Sequence, residues 1–194
     1  MTDDDDDRAR WNRRWVDTDP LAGTPSPVVC AIVEGLTIPA GPVLDLAGGP
    51  GRNAVWLAER GHAVTLVDVS EVALSLANRR ARAHDVSLTT AVADLQAAPF
   101  PTGPWALVLV SFYLQRSLFS AAARELAEGG LLVLVHPTVD NLLRHAKPSR
   151  RFLLQPGEAR ALAEAAGLTV VVDDEGWVGD DDEARHLARL VARR

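Results

Sequence analysis

Residues 43–70 read VLDLAGGPGRNAVWLAERGHAVTLVDVS and decide the fold. An apolar run that contains Asp45 leads into a turn with three glycines, and a helical pattern follows. A second apolar run then ends in the acid Asp68. Strand, glycine turn, helix and strand in this order are typical of the first half of a nucleotide-type α/β domain, in which the ligand lies at the carboxyl ends of the strands.

The glycine turn distinguishes between two kinds of ligand. Gly49, Gly51 and Ala54 formally satisfy the dinucleotide fingerprint, and Asp68 lies at about the right distance for a ribose hydroxyl. A pyrophosphate site gains nothing from a carboxylate at the tip of its first strand, because Asp45 would repel the phosphates. A ligand with cationic groups and no phosphate would tolerate or use this carboxylate. S-adenosylmethionine (AdoMet), which carries an α-ammonium and a sulfonium, is such a ligand.

The turn also carries a family resemblance. The segment from Asp45 to Gly51 resembles the D-x-G-x-G-x-G motif of class I AdoMet-dependent methyltransferases, although Ala47 stands where that family usually has its first glycine. Two further strings resemble small methyltransferases of the tellurite-resistance and thiopurine type, namely W-x-x-R-W at 11–15 and FYLQR at 112–116. The simpler alternative is a glycine-rich turn that only lets a helix pack on a strand.

The resemblance implies a single-domain, doubly wound α/β fold with seven strands in the order 3-2-1-4-5-7-6, the last one antiparallel. It implies AdoMet as the cofactor, with Asp45 facing the amino-acid end and Asp68 accepting from the ribose hydroxyls. Asp94, after the third strand, would pair with adenine, and the alternative for it is a turn or cap acid. The predicted cofactor-binding residues are Asp45, Ala47, Gly48, Gly49, Gly51, Asn53, Asp68, Val69, Asp94, Leu95 and Arg13.

The N-terminal residues are predicted to form a helical cover. Trp11 and Trp15 are four apart, and therefore lie on one face of a helix. In one interpretation this helix only docks on the domain; in the other it covers the cofactor, and Arg13 or Arg14 faces the methionine carboxylate. The predicted boundaries are a disordered acidic tail at 1–9, a methyltransferase domain at 10–194 and, within it, the helical cover at 10–40.

A second group of candidate residues follows the fourth and fifth predicted strands. The buried run at 105–110 leads into Tyr113, Gln115 and Arg116, polar groups among apolar ones that suit the wall of an acceptor pocket. The alternative for Arg116 is a surface charge. His136 follows the fifth strand directly and is a candidate proton acceptor, although a hydrogen-bonded structural histidine is the preferred interpretation. The basic loop at 137–155 is either a cover for an anionic acceptor or a solvated loop.

Several helix ends and strands are predicted from local signals. Ser26 and Ser70 are predicted helix caps, and the helix after Ser70 should run to about Ala83. The remaining predictions are a third strand at 86–92, a helix capped by Ser117 and closed by Gly129 and Gly130, a fifth strand at 131–135, a helix that begins at Pro156, and a final segment at 185–193 that the resemblance favours as an antiparallel strand.

Composition restricts the class of protein. The chain has 194 residues and a net charge of −6, most of it from the acidic run at 3–7. The rest is nearly neutral, so no nucleic-acid partner is expected. No apolar run approaches the roughly 20 residues that span a bilayer, so no membrane partner is expected either. The single cysteine, Cys30, and the acidic N-terminus suggest a cytoplasmic protein. The oligomeric state cannot be inferred.

These observations together predict an enzyme that transfers a methyl group from AdoMet to a small-molecule nucleophile such as a thiol, a metalloid oxyanion or a small metabolite. Tyr113, Arg116 and His136 are the candidate acceptor-site residues. No histidine and cysteine cluster has the spacing of metal ligands, so no metal is predicted. Two alternatives remain open, namely an NAD(P)-dependent oxidoreductase and a non-catalytic AdoMet-binding protein.

Overall fold

The structure is a computed structural model that describes residues 3–194, including all side chains except those of 3–6 and 181. It contains six α-helices and seven β-strands. They are α1 (Asp3–Trp15), α2 (Pro27–Glu34), β1 (Val43–Leu46), α3 (Arg52–Glu59), β2 (Val64–Asp68), α4 (Glu71–Ala83), β3 (Thr89–Val92), β4 (Trp105–Ser111), α5 (Leu118–Glu125), β5 (Leu126–Pro137), α6 (Glu158–Ala165), β6 (Thr169–Val178) and β7 (Arg185–Arg193).

The strands form one seven-stranded sheet in the order β3-β2-β1-β4-β5-β7-β6. This order, with an antiparallel last strand, is the one that the resemblance predicts, so the fold prediction is confirmed. By its internal contacts the chain divides into two compact units, one up to Pro101 and one from Thr102 to Arg194. The two units are described separately below.

The first unit contributes three parallel strands. Val43 pairs with Val64 in β1 and β2, and Thr65 pairs with Thr89 in β2 and β3. All four residues of β1 are buried, as are Val64, Leu66 and Val67 of β2. The parallel register brings the carboxyl ends of β1 and β2 to the same edge of the sheet. The acids at these two ends therefore lie close together.

The second unit contains the antiparallel part of the sheet. Strands β4 and β5 are parallel, and β4 is buried along its first six residues, as expected for a strand covered on both faces. Strand β7 lies between β5 and β6 and pairs antiparallel with both of them. The final segment is thus a strand, in agreement with the prediction. A long loop with two 3-10 helices, Val139–Leu143 and Arg150–Phe152, joins β5 to α6.

The predicted helix caps are mostly confirmed. The hydroxyl groups of Ser26 and Ser70 accept from the amides of Val29 and Ala73, three residues further on. Helix α4 ends at Ala83 as predicted.

Other local predictions are wrong. Ser117 makes no side-chain cap, α6 begins at Glu158 after Gly157 rather than at Pro156, and β3 begins at Thr89 rather than at residue 86. Gly129 and Gly130 do not end a helix but lie inside β5. A Cβ on Gly130 would come within 2.7 Å of the carbonyl oxygen of Trp105, so close approach of the backbone explains this glycine.

The acidic N-terminal segment differs from its predicted state. Residues 1–9 are predicted to be a disordered tail, whereas helix α1 begins at Asp3 and continues to Trp15. Two arginines occupy the last turn of this helix, where cations interact favourably with its partial negative charge. Residues 1 and 2 lie outside the described part of the chain.

Candidate functional site

The turn between β1 and α3 has no room for side chains at two of its glycines. A Cβ on Gly48 would lie 2.3 Å from Cδ1 of Leu66 and 2.5 Å from Oδ2 of Asp45. Gly51 has a φ of +74°, and a Cβ there would lie 2.7 Å from Cβ of Ala77. The turn therefore has to consist of bare backbone at these two positions, because any side chain would displace the strand or the helix beneath it.

Ala47 also has a left-handed conformation, with a φ of +52°. Its amide donates to the carbonyl of Val67 at 2.8 Å, which fixes the end of β1 against β2. A left-handed alanine costs roughly 1–2 kcal/mol, which glycine avoids. This local backbone strain explains why the related family usually has glycine at this position.

Asp45 is fully buried beneath this turn. Neither of its carboxylate oxygens accepts a hydrogen bond from the described residues. Burial, reinforced by the nearby charge of Asp68, raises the pKa of Asp45 to about 8, against a smaller opposing effect of the Ala54 amide. The side chain is therefore largely protonated at neutral pH, which differs from the charged acid that the sequence suggests.

Asp68 connects the two strand ends. Its Oδ2 accepts from the amide of Gly49 at 2.9 Å and its Oδ1 accepts from the amide of Ser70 at 2.8 Å. Burial raises the pKa of this carboxyl group, and the amides of Ser70, Gly49 and Val69 oppose that shift. Each carboxylate oxygen keeps a further lone pair, so the side chain can accept from a ligand hydroxyl without losing its contacts to the turn.

Helix α1 lies over the glycine turn. The position of a Cβ on Gly49 is 3.5 Å from Cζ2 of Trp15, and nothing else lies within 4 Å of it. Asn12 fastens the helix to the start of α4, because its Oδ1 accepts from the hydroxyl of Ser70 at 2.7 Å and its Nδ2 donates to Glu71 at 3.3 Å. The helix thus covers the turn within this unit. That it also covers the cofactor stays a prediction.

The two arginines of α1 differ in their surroundings. The guanidinium of Arg14 lies over the rings of Trp11 and Trp15, at 5.7 and 5.3 Å from their centroids. Arg13, the predicted partner of the methionine carboxylate, is exposed. Its role stays a prediction.

The remaining predicted cofactor residues have local partners. Oδ1 of Asn53 accepts from the amide of Ser26 at 2.9 Å, which joins α3 to the start of α2. Oδ1 of Asp94 accepts from the amide of Gln96 at 2.9 Å, the contact of a turn acid. Val69 is half-buried and Leu95 is buried. The adenine contact of Asp94 and the cofactor contacts of the other three residues stay predictions.

These features fit an AdoMet-type ligand. The turn offers backbone without side chains, Asp68 has acceptor capacity for ribose hydroxyls, and the ring of Trp15 lies over Gly49. Asp45, mostly neutral at pH 7, is an orphaned buried carboxyl group at the same edge. No group of three or more potential metal ligands occurs among the described residues.

The second unit contains a small cleft. It is lined by Val110, Tyr113, Gln115, Leu118, Phe119, Leu132 and Leu134. The hydroxyl of Tyr113 donates to Oε1 of Gln115 at 2.9 Å, and Nε2 of Gln115 donates to Ser117 at 3.1 Å. The free space inside this cleft holds little more than one water-sized group, whereas pockets for drug-sized molecules usually measure about 300–1,000 Å³, so the cleft is not by itself an acceptor site.

Arg116 is neither a cleft residue nor a simple surface charge. Its Nε and Nη2 donate to the two carboxylate oxygens of Glu158, at 2.5 and 3.1 Å, and Nη2 also donates to the carbonyl of Leu153. These bonds raise the pKa of Arg116 and lower the pKa of Glu158. The side chain thereby joins the end of β4 to the start of α6.

His136 has the environment of a structural histidine. Its ring is buried, and Nε2 lies 2.8 Å from the carbonyl of Phe152, so Nε2 carries the proton. Burial, together with the nearby charge of Arg116, lowers the pKa of His136 to about 4. Nδ1 is buried without a hydrogen-bond partner among the described residues. A neutral ring with this pKa is a weak base at pH 7.

Sequence reasoning missed two residues of these sites. Asn12 lies between the two tryptophans that dominate the sequence pattern of this helix. Its contact with Ser70 spans 58 residues, so no local signal indicates it. Glu158 is separated from Arg116 by 42 residues. An acid in the first turn of a predicted helix gave the only local signal for Glu158, and that signal does not identify a partner.

Comparisons with known proteins agree with this geometry. Residues 43–130 match a methyltransferase domain family. The tRNA 5-carboxymethoxyuridine methyltransferase of Escherichia coli K12 is 34% identical over 113 residues, which are 53% of this chain and 42% of that protein. The chain spans about half the length of the curated relatives that it matches first.

Two solved structures share the fold. TehB from Haemophilus influenzae superposes with a TM-score of 0.70 at 22% identity, covering 86% of this chain and 61% of that one. The geranyl diphosphate C-methyltransferase from Streptomyces coelicolor A3(2) superposes with a TM-score of 0.71 at 18% identity, covering 100% and 99%. Among the described residues, no helix is long and apolar enough to cross a membrane.

Proposed function

The chain carries a class I AdoMet-dependent methyltransferase domain, and on this premise we propose that it transfers a methyl group from AdoMet to a small-molecule nucleophile. The observation that carries the proposal is the turn between β1 and α3. Asp68 organises this turn, Gly48 and Gly51 keep it bare, and Trp15 covers it. A glycine turn that only let a helix pack on a strand would need neither the carboxylate of Asp68 nor the covering ring of Trp15.

The roles of the residues follow from their contacts. Gly48, Gly49 and Gly51 allow the backbone to approach the cofactor, and Asp68 accepts from its ribose hydroxyls. Trp15 and the rest of α1 exclude water from the turn. When bound, AdoMet supplies an activated methyl group on a positively charged sulfur atom. Because that group already carries the chemical activation, the protein chiefly holds the reactants aligned and dry.

The second unit supports an acceptor that needs little help from a base. Neither Arg116 nor His136 is a strong base, because a guanidinium stays protonated and the pKa of His136 is about 4. A soft thiol or a metalloid oxyanion attacks without strong general-base assistance.

An RNA acceptor is a second candidate. The match to a tRNA methyltransferase, at 34% identity over about half of this chain, favours it. The near-neutral charge of the chain beyond its acidic N-terminal run argues against it, because RNA-binding surfaces are normally basic. Small molecules and tRNA are therefore tested side by side.

The first experiment is calorimetric titration of AdoMet, S-adenosylhomocysteine and NADH into the purified protein, after any copurified ligand has been assayed. We expect micromolar binding of the two sulfur nucleosides and none of NADH. Binding of NADH alone would favour an oxidoreductase. Failure of both sulfur nucleosides to bind would overturn the proposal.

The second experiment follows methyl-labelled AdoMet with small thiols, tellurite and selenite oxyanions, and bulk tRNA as acceptors. We expect label in the small-molecule fraction. Label in tRNA alone would replace the small-molecule acceptor by an RNA. Cofactor binding without transfer to any acceptor would favour a non-catalytic AdoMet-binding protein.

A further inference from the structure

The loop between β5 and α6 has a fixed conformation. Its two ends are joined by a β-bridge between Thr138 and Leu154. In its middle, the fully buried side chain of Asn141 accepts from the amide of His186 at 3.3 Å and donates to the carbonyl of Lys147 at 3.4 Å. The backbone of the loop therefore determines which of its side chains face the solvent.

Each of the two 3-10 helices in this loop ends in an exposed apolar side chain. Leu143 is 79% exposed and Phe152 is 43% exposed. The carbonyl of Phe152 is held by His136, and the next residue, Leu153, is fully buried, so the exposure of the Phe152 ring follows from the position of its backbone. Both side chains are thus held in water on one structured loop, where they are available for contact with an apolar partner.

Four exposed cations accompany these apolar residues. They are Arg144, Lys147, Arg150 and Arg151, and residues 143–152, which we call the basic apolar loop, contain no acid although the whole chain has a net charge of −6. None of the four forms an ion pair in the part of the chain whose side chains are described. Their charge is therefore available to an anionic partner.

Two of these arginines are held against aromatic rings. The guanidinium of Arg144 lies 4.1 Å from the centroid of Trp177, and that of Arg151 lies 4.6 Å from the centroid of Phe152. A cation over a ring keeps its full charge while its stem covers apolar surface. The basic apolar loop thus presents charge and apolar surface together.

An acidic run at 180–183 approaches the loop, since Nε2 of His145 donates to the carbonyl of Ala184 at 2.6 Å. Its described carboxylates make no ion pair with the loop cations. This nearby negative charge weakens the long-range attraction between the loop cations and an anionic partner. The apolar side chains of Leu143 and Phe152 therefore have to contribute to docking.

We propose that the basic apolar loop docks the protein on the surface of a membrane rich in anionic lipids. Exposed Leu and Phe side chains enter the boundary between headgroups and acyl chains, and adjacent Lys and Arg side chains bind the anionic headgroups. A nucleic acid would use the cations but not Leu143, because an aliphatic side chain offers no flat face for a base. No membrane partner is expected from the sequence because no apolar run is long enough to span a bilayer. Docking at the membrane surface does not require such a run. The proposal is independent of methyl transfer.

The test is co-sedimentation of the full chain with vesicles of equal parts phosphatidylglycerol and phosphatidylcholine, and with vesicles of phosphatidylcholine alone. We expect binding to the anionic vesicles only, weakened by salt. Because each basic side chain near such a surface contributes appreciably, R150E/R151E should lower the partition coefficient at least about tenfold. Leu143→Ser should lower it about threefold or more, since it removes apolar contact and no charge.

The matched control is R79E/R82E, which changes the net charge by the same amount on the exposed side of α4. It should bind vesicles within about twofold of the unchanged protein, and thermal unfolding should show that all variants are folded. The proposal is overturned if anionic vesicles do not bind, or if both double variants lose equal affinity. Binding to tRNA and not to vesicles, insensitive to Leu143→Ser, would also overturn it and assign the cations to a nucleic acid.

Discussion

Asp68 and Gly49 are joined across two strands, since Oδ2 of the acid accepts the amide proton of the glycine at 2.9 Å. The other oxygen of Asp68 accepts from Ser70, the cap of α4. One carboxylate thereby fixes the end of β2, the turn after β1 and the start of a helix. The acid proposed to bind the ribose is also the one that holds the cofactor turn in shape.

Replacing Asp68 by Asn should weaken both the turn and cofactor binding. An amide keeps one acceptor oxygen, but its NH₂ group must face one of the two backbone donors, so one buried hydrogen bond is lost. We expect a free energy of unfolding lower by about 1–3 kcal/mol and AdoMet affinity reduced about tenfold or more, measured by urea unfolding and calorimetry. Asp85→Asn, on an exposed turn, is the control and should change neither quantity. Unchanged affinity in Asp68→Asn would refute the ribose role.

Gly48→Ala should destabilise the protein by overpacking. The added methyl group would lie 2.3 Å from Leu66 and 2.5 Å from Asp45, both buried. Inserting a methyl group into a packed site typically costs about 1–3 kcal/mol. Gly35→Ala is the matched control, because the nearest atom to its Cβ, the carbonyl oxygen of Ile32, is 3.4 Å away. Chemical denaturation should separate the two variants, and equal stabilities would contradict the geometry.

Asp45 should make stability depend on pH. Its pKa is about 8 in the folded protein against 3.8 as an ordinary value, so between these values the folded state keeps a proton that the unfolded chain has lost. The stability contribution of Asp45 therefore falls as the pH rises from about 4 to about 8 and is constant outside that window.

Asp45→Asn removes this titration. Between pH 5 and pH 8, its free energy of unfolding should decline less than that of the unchanged protein, as measured by urea titrations at pH 5, 6.5 and 8. Because both proteins contain the same other titrating groups, including His136, the contributions of these groups to the pH dependence cancel in the difference between the two stability curves. Parallel stability curves would show that Asp45 is ionised in the folded state.

Arg116 and Glu158 should be coupled in a double-mutant cycle. The pair is bidentate but partly exposed, so we expect a coupling energy of about 0.5–1 kcal/mol in unfolding experiments on Arg116→Ala, Glu158→Gln and the double variant. Once an acceptor is known, its KM provides a second readout. If KM for the acceptor rises equally in both single variants, the ion pair positions the acceptor site. If KM rises in Arg116→Ala alone, Arg116 contacts the acceptor directly, as the sequence predicts.

The sequence predicted the parts of the fold that depend on neighbouring residues. The serine caps at Ser26 and Ser70 follow from hydrogen bonds three residues apart. Spacing and residue type identified the glycine turn, and the family resemblance supplied the strand order and the antiparallel last strand.

Contacts between distant residues were not predictable in this way. A single sequence does not show that Arg116 meets Glu158, or that Asn12 meets Ser70, because tertiary packing brings these groups together. Gly130 was misread for the same reason. Its local pattern is that of a helix end, whereas the close approach of Trp105 is what excludes a side chain there.

The position of β7 between β5 and β6 has a consequence for synthesis. A ribosome delivers β6 before β7, the only described strand with which β6 pairs. Until β7 emerges, one edge of β5 and both edges of β6 are therefore open. Val171 and Val172 remain exposed on β6 even in the folded protein. Unpaired apolar strands of this kind are templates for aggregation. A chain interrupted between residues 178 and 185 would therefore leave β5 and β6 unpaired at this side of the sheet and be prone to aggregation.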